Sequence, residues 1–275
     1  MSTHLNSDEQ NPAYDLLSNC CDYSNQMSKI ISAKRINQIT TFLKSLNIKS
    51  KRFSEIINTQ NISIIHVFNQ AFIHSSEDKI MNYETLEFFG DAVLRLAASN
   101  FIEKRYPQMS VGERSELRAQ IVSDEWLTKL GEKIDIEKLI IKGPKALGDE
   151  NSKNTIIGEA TEALIGAIYN CFDSIQEVNL WLDDIWEEDS EIFLKAPYKF
   201  KSKTVLQEWC QSKGFDLPVY KIIEVSKKNG DPKRFSCDIF IEGLKESSAF
   251  GKSHKQAETN AARDLIEKFI TIGEI

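Results

Sequence analysis

The chain has 275 residues, 41% of them hydrophobic and 27% charged, enough to bury a sizeable core and to fill two domains, and too apolar for a disordered or fibrous protein. A formal net charge of −7 and a pI of about 5.3 argue, taken as averages, against a polyanionic partner.

Residues 1–33 are rich in Asn, Ser, Asp and Gln and poor in aliphatics, so a flexible polar tail is expected there. The tail has neither a basic start nor an apolar stretch, and no later run approaches the roughly 20 apolar residues that cross a bilayer. No signal peptide or membrane partner is expected, and the chain reads as cytoplasmic. The cysteines (Cys20, Cys21, Cys171, Cys210, Cys237) are odd in number, scattered and without C-x-x-C spacing, which predicts reduced packing thiols rather than disulfides or a zinc site.

From Arg35 to Trp186 apolar residues recur at spacings of three and four, as in Ile36, Ile39, Leu43 and Leu46, or Leu86, Phe89, Val93 and Leu96. This predicts an all-α domain over 34–186. The acidic run from Trp186 to Glu191 and the basic, proline-containing stretch from Lys195 to Lys203 predict a linker at 187–200. Beyond it the period changes. A helix is expected over Thr204–Lys213, strands over Val219–Val225 and Arg234–Glu242 around the turn Asn229-Gly230-Asp231-Pro232, a third strand near Ser247–Phe250, and a helix over Lys255–Phe269. The fold class is thus an all-α domain followed by a small α+β unit of order α-β-β-β-α at 201–270. Charge divides along the same boundary. Residues 199–270 hold 14 Lys and Arg against 10 Asp and Glu, whereas residues 1–198 hold 20 against 30.

The stretch from Tyr83 to Leu96 places Glu84, Glu87 and Asp91 on one stripe of a helix whose other faces carry Leu86, Phe88, Phe89, Ala92, Val93 and Leu94. A second apolar helix, Ile156 to Ile168, carries Glu159 and Glu162 close to one turn apart, with no Lys or Arg within five residues of either. Carboxylates beside a core cost free energy unless protonated, paired or bound to a cation. An all-carboxylate set suits Mg²⁺ or Mn²⁺ acting on phosphate esters; the alternative is two solvated helix faces. His66 and His74 read as packing or capping residues. Gly251-Lys-Ser-His lacks the upstream glycine of a nucleotide-binding loop, Glu246 standing there, so no nucleotide cofactor is expected.

Glu84-Thr-Leu-Glu-Phe-Phe-Gly-Asp-Ala-Val-Leu94 resembles the signature helix of the bacterial ribonuclease III family, with Ala71-Phe-Ile-His-Ser-Ser76 similar to its lead-in and Glu162-Ala-Leu-Ile-Gly-Ala-Ile-Tyr169 to its second acidic helix. Thr204-Val-Leu-Gln-Glu-Trp209, Leu217-Pro-Val-Tyr220, Arg234-Phe-Ser-Cys237 and Gly251 to Ala262 resemble a double-stranded-RNA-binding domain. The resemblance implies a Mg²⁺-dependent endonuclease, Mn²⁺ being an alternative ion, that cuts double-stranded RNA to leave 5′-phosphate and 3′-hydroxyl ends and processes structured precursors such as ribosomal RNA. It places the metal ligands at Glu87, Asp91, Glu159 and Glu162, the catalytic positions at Asp91 and Glu162 with Glu84 beside them, and the RNA face at Gln207, Glu208, Asp231, Lys233, Lys252, Ser253 and Lys255. It also implies a homodimer, with Phe88, Phe89 and Val93 as interface or core residues. The alternative is a catalytically inactive RNA-binding or ribosome-associated protein of the same fold.

Four positions depart from the family pattern. Position 159 is usually Asp, the residue before the first glutamate usually Asn rather than Tyr83, the residue before Gly112 usually Glu rather than Val111, and position 254 often Lys rather than His. On the pattern alone, Glu159→Asp is expected to keep activity at least equal to the parent.

Overall fold

A computed structural model describes residues 31–144, 146–148, 152–196, 201–228 and 231–274. All of the expected polar tail but its last three residues, and the Asn229-Gly230 part of the expected turn, lie outside them. The chain divides into two compact units between Glu188 and Asp189.

The first unit is helical, as expected. Helix α1 spans Ala33–Ser45, α2 Lys51–Asn58, α3 Ile62–Gln70, α4 Glu84–Arg105, α5 Val111–Ile121 and α6 Asp124–Lys133; a 3-10 turn at Ile136–Leu139 leads to α7, Lys153–Phe172, and α8, Gln176–Lys195, runs across the boundary. Short polar side chains start several of them. Ser32, Ser50 and Ser123 accept hydrogen bonds from backbone N–H groups three residues on, and Ser110 with Glu113 forms a capping box. Helix α7 is the centre of the unit, with Ile157, Ala160, Leu164, Ile165, Ile168 and Phe172 all fully buried. Trp186 closes the core from α8, its indole N–H donating to the Ile121 carbonyl at 3.0 Å.

The segment expected as a linker is helical for most of its length: α8 continues through the acidic run to Lys195, where Glu191 and Lys195 pair at 2.8 Å one turn apart.

The second unit has the predicted order. Helix α9 spans Ser202–Lys213, strand β1 Val219–Glu224, β2 Phe235–Ile241, β3 Leu244–Gly251 and helix α10 His254–Ile272. The sheet is antiparallel in the order β1-β2-β3, with Tyr220 opposite Ile239 and Cys237 opposite Ala249. Alternation along β2 sends Cys237, Ile239 and Ile241 inward onto Leu206 and Cys210 of α9 and Ala257, Ala261, Leu265 and Phe269 of α10. Cys171, Cys210 and Cys237 are buried and free, as packing thiols should be, and burial pushes the Cys237 thiol up to about 11. Among the described residues no helix is long and apolar enough to cross a membrane.

Candidate active site

Two glycines decide how the acidic helices meet. A Cβ on Gly90 of α4 would stand 2.0 Å from the Glu162 carbonyl oxygen of α7, and one on Gly166 would stand 2.2 Å from the Leu86 carbonyl. Only hydrogen at both positions allows this backbone approach. The crossing therefore lies beside Glu87 and Asp91 on one helix and Glu159 and Glu162 on the other. The head of α4 is fixed by Asn82, whose Oδ1 accepts from the Glu84 N–H at 2.9 Å and whose carbonyl accepts from the buried Gln70 amide at 3.0 Å.

The carboxylates sense one another across this crossing. Burial first, then the charges of Glu159 and Glu84, pushes Glu87 up to about 7; burial first, then Asp91, Glu87 and Asp124, pushes Glu162 up to about 7. Glu87, Asp91, Glu159 and Glu162 are all half-buried, whereas Glu84 is exposed. Among the described residues none of Glu84, Glu87, Glu159 and Glu162 forms an ion pair with Lys or Arg. Asp91 does: Arg95, one turn on, donates from Nε to both of its oxygens at 2.8 and 2.9 Å.

Tyr83, itself a departure from the pattern, reaches the site at Glu159, another. Its ring is buried and its hydroxyl donates to Glu159 Oε2 at 2.5 Å. Burial, this bond and the neighbouring carboxylates all raise its pKa, so the phenol remains a donor. His74 lies edge-on to the Tyr83 ring at 5.6 Å, with Nδ1 2.7 Å from Ser76 Oγ, a local packing and hydrogen-bonding role. His66 is half-buried on α3, which lowers its pKa and favours the neutral ring. Val111, the first residue of α5, points into solvent.

Three participants were not assigned from the sequence. Arg95 carried the clearest signal, standing four residues after Asp91 on the same helix; Asp124 opens α6 and adds its charge to the cluster; Tyr83 was legible only as a departure. Among the described residues, no three His, Cys, Asp or Glu side chains stand close enough together to form a ready-made ion cage. The donor set is all carboxylate, lacks basic partners at three of its four positions, and holds two members near pH 7, so a hard divalent cation suits it in charge and chemistry.

In the second unit, Gln207 and Glu208 are exposed on α9, and Lys233, Lys252, Ser253 and Lys255 are exposed around the β2 entrance and the head of α10. Phe235, the first residue of β2, meets His254 at the head of α10 edge-on at 4.3 Å, and Lys233 Nζ of the 231–234 loop lies 5.7 Å from the Phe250 ring of β3. Ser253 also caps α10, accepting from Gln256 N–H at 3.2 Å. Asp231 is occupied by its own turn: the Ser226 hydroxyl and the Lys233 N–H hold its carboxylate below the usual range.

Residues 65–178 match the ribonuclease-III-like family model, and residues 202–269 match the double-stranded RNA binding motif. The chain is 43% identical over 239 residues to the ribonuclease 3 of Prochlorococcus marinus, covering 87% of this chain and 96% of that protein. It is 32% identical over 193 residues to a ribonuclease 3 of a Nostoc species, covering 70% and 80% of the two chains. Among solved structures it is similar to the nuclease domain of ribonuclease III from Campylobacter jejuni, at 23% identity and a TM-score of 0.40 over 54% of this chain and 92% of that one. With this identity along nearly the whole of a relative, and a motif match in each unit, the chain belongs to the ribonuclease III family.

Proposed function

We propose that the chain is a homodimeric endoribonuclease that hydrolyses phosphodiester bonds in double-stranded RNA, leaving 5′-phosphate and 3′-hydroxyl ends, and that it trims structured precursors such as ribosomal RNA. The observation that carries the reading is the crossing of α4 and α7 at Gly90 and Gly166, which brings two carboxylate stripes together and leaves Glu87 and Glu162 titrating near 7. Glu87, Asp91, Glu159 and Glu162 would hold Mg²⁺ or Mn²⁺, with Glu84 at the mouth. A divalent cation bound there supplies Lewis-acid polarisation of the phosphodiester and makes water a better nucleophile near neutral pH. The chain's own residues supply the rest. The glycine crossing sets the spacing of the stripes, Asn82 fixes the head of α4, and Asp91 would have to leave Arg95 to reach a bound cation.

The second unit supplies affinity. A-form duplexes are read by shape through phosphates and 2′-hydroxyls. Lys233, Lys252 and Lys255 offer cations for that contact, Gln207 and Glu208 offer polar groups for the minor groove, and Ser253 and Asp231 shape the loops between.

The test is incubation of the purified chain with perfect duplex RNA, with Mg²⁺ and with EDTA, followed by end analysis. Cleavage only with Mg²⁺, giving 5′-phosphate ends, is expected. The Arg95 clamp on Asp91 and the lack, among the described residues, of a ready-made ion cage favour a binding-only protein. Duplex binding with no Mg²⁺-dependent cutting would establish that reading instead.

A further inference from the structure

Two of the departures from the family pattern touch each other. Tyr83 is only 1% exposed, and its hydroxyl donates to Glu159 Oε2 at 2.5 Å. The tyrosine is anchored independently of the glutamate. Its backbone N–H donates to the Ile73 carbonyl at 2.9 Å, and its ring abuts His74. His74 is itself held by Ser76, whose Oγ accepts from the Gly143 N–H at 3.0 Å. The loop that carries the phenol is thus held by contacts that do not involve the glutamate.

We propose that Tyr83 is a positioning residue for Glu159: the phenol holds Oε2 so that Oε1 is the oxygen left to a divalent cation, and the two residues work as a matched pair. The inference rests on the metal reading above and deepens it. Glutamate at 159 adds one C–C bond of reach, about 1.5 Å, and one further torsion to freeze. A fixed donor at the end of that longer arm removes the added freedom. Carboxylates that ligate metals are commonly held in this way by a hydrogen-bond partner, and loss of such a partner weakens metal binding roughly 10–100-fold. The contact also reverses the expectation drawn from the pattern alone. An aspartate at 159 falls about one bond short of the hydroxyl and leaves a buried phenol without its acceptor.

The test uses the full chain and a double-mutant cycle, read by calorimetric titration with Mn²⁺ in the absence of RNA. Tyr83→Phe keeps the ring and removes only the hydroxyl; it should bind Mn²⁺ roughly tenfold more weakly than the parent. Glu159→Asp should lose affinity by a similar factor. The double variant should be no weaker than the worse single one, because both changes delete the same bond. Circular dichroism and duplex binding in EDTA should match the parent for all three. Mn²⁺ affinity of Tyr83→Phe within twofold of the parent would overturn the proposal, as would single effects that multiply. A lowered melting temperature in EDTA with unchanged Mn²⁺ affinity would make Tyr83 merely structural and would overturn it as well. If the parent itself binds no Mn²⁺, the metal reading fails and takes this proposal with it; if the parent binds Mn²⁺ and cuts while Tyr83→Phe behaves identically, only the proposal fails.

Discussion

Glu87 and Glu162 lie on facing helices, and partial burial thins the water that would screen their charge. Each has a folded-state pKa near 7, above the ordinary value of 4.5, so the folded unit keeps protons that the unfolded chain releases. Their contribution is fully favourable below about pH 4.5 and is lost as pH climbs through 7. Because both groups are partly exposed, the loss is about 1–2 kcal/mol in all after screening is allowed for, or several degrees of melting temperature. In EDTA, melting of the helical unit should therefore fall between pH 5 and pH 8, and Mg²⁺ should restore more at pH 8 than at pH 5. Equal Mg²⁺ shifts at both pH values in a calorimetric scan would contradict this. Glu162→Gln removes one charge at nearly constant volume, so it should flatten the EDTA profile, abolish Mg²⁺-dependent cutting and leave duplex binding in EDTA intact. Loss of cutting together with loss of fold would instead make Glu162 structural.

At the scale of elements, the site depends on how closely α4 and α7 approach. Gly90→Ala places a methyl carbon where the Glu162 carbonyl oxygen stands at 2.0 Å, and backbone cannot rotate away as a side chain can. The helices must separate, at a cost of roughly 1–3 kcal/mol or more, and the carboxylate stripes separate with them. Cleavage should then fall at least tenfold even at a temperature where circular dichroism shows the variant folded. Gly112→Ala is the control: its Cβ would meet nothing nearer than Ser110 Oγ at 3.9 Å, so it should be neutral or slightly stabilising. The same two helices mark how far the sequence could be read. Periodicity located both acidic stripes, because spacing along one helix is a local property. The crossing that joins them was not legible, since Gly90 and Gly166 acquire their meaning only from each other's backbone. Arg95 stands four residues after Asp91, a spacing that is legible, whereas its pairing with that carboxylate is a matter of side-chain geometry; the acidic run before Lys195 reads as a linker because composition does not register the Glu191–Lys195 pair that supports a helix there.

At the scale of the whole molecule, one chain carries one carboxylate set, and a duplex has two strands. Phe88, at 82% exposed, lies beside Glu87 with Phe89 and Leu96 also exposed on α4, whereas Val93 turns inward to the core. An apolar strip of this kind on an otherwise acidic unit suits a two-fold interface that sets a second site against the second strand. Phe88→Glu should give a monomer by light scattering and lose cleavage while circular dichroism is unchanged. Affinity poses the opposite problem, because residues 1–198 carry ten more acidic than basic residues and repel phosphate wherever no cation is bound. The excess of four basic over acidic residues across 199–270 has to supply the attraction, and Lys233, Lys252 and Lys255 are exposed around the β2 entrance and the head of α10. Each phosphate contact releases counterions and steepens the fall of binding with salt by nearly one unit of log–log slope. Replacing the three lysines with alanine should therefore flatten that slope by roughly 2–3 units and weaken duplex binding in EDTA. Cleavage at saturating RNA should survive, since the carboxylate set is untouched. An unchanged slope in a binding titration from low to moderate salt would move the RNA contact off the α10 head and onto another face of the second unit.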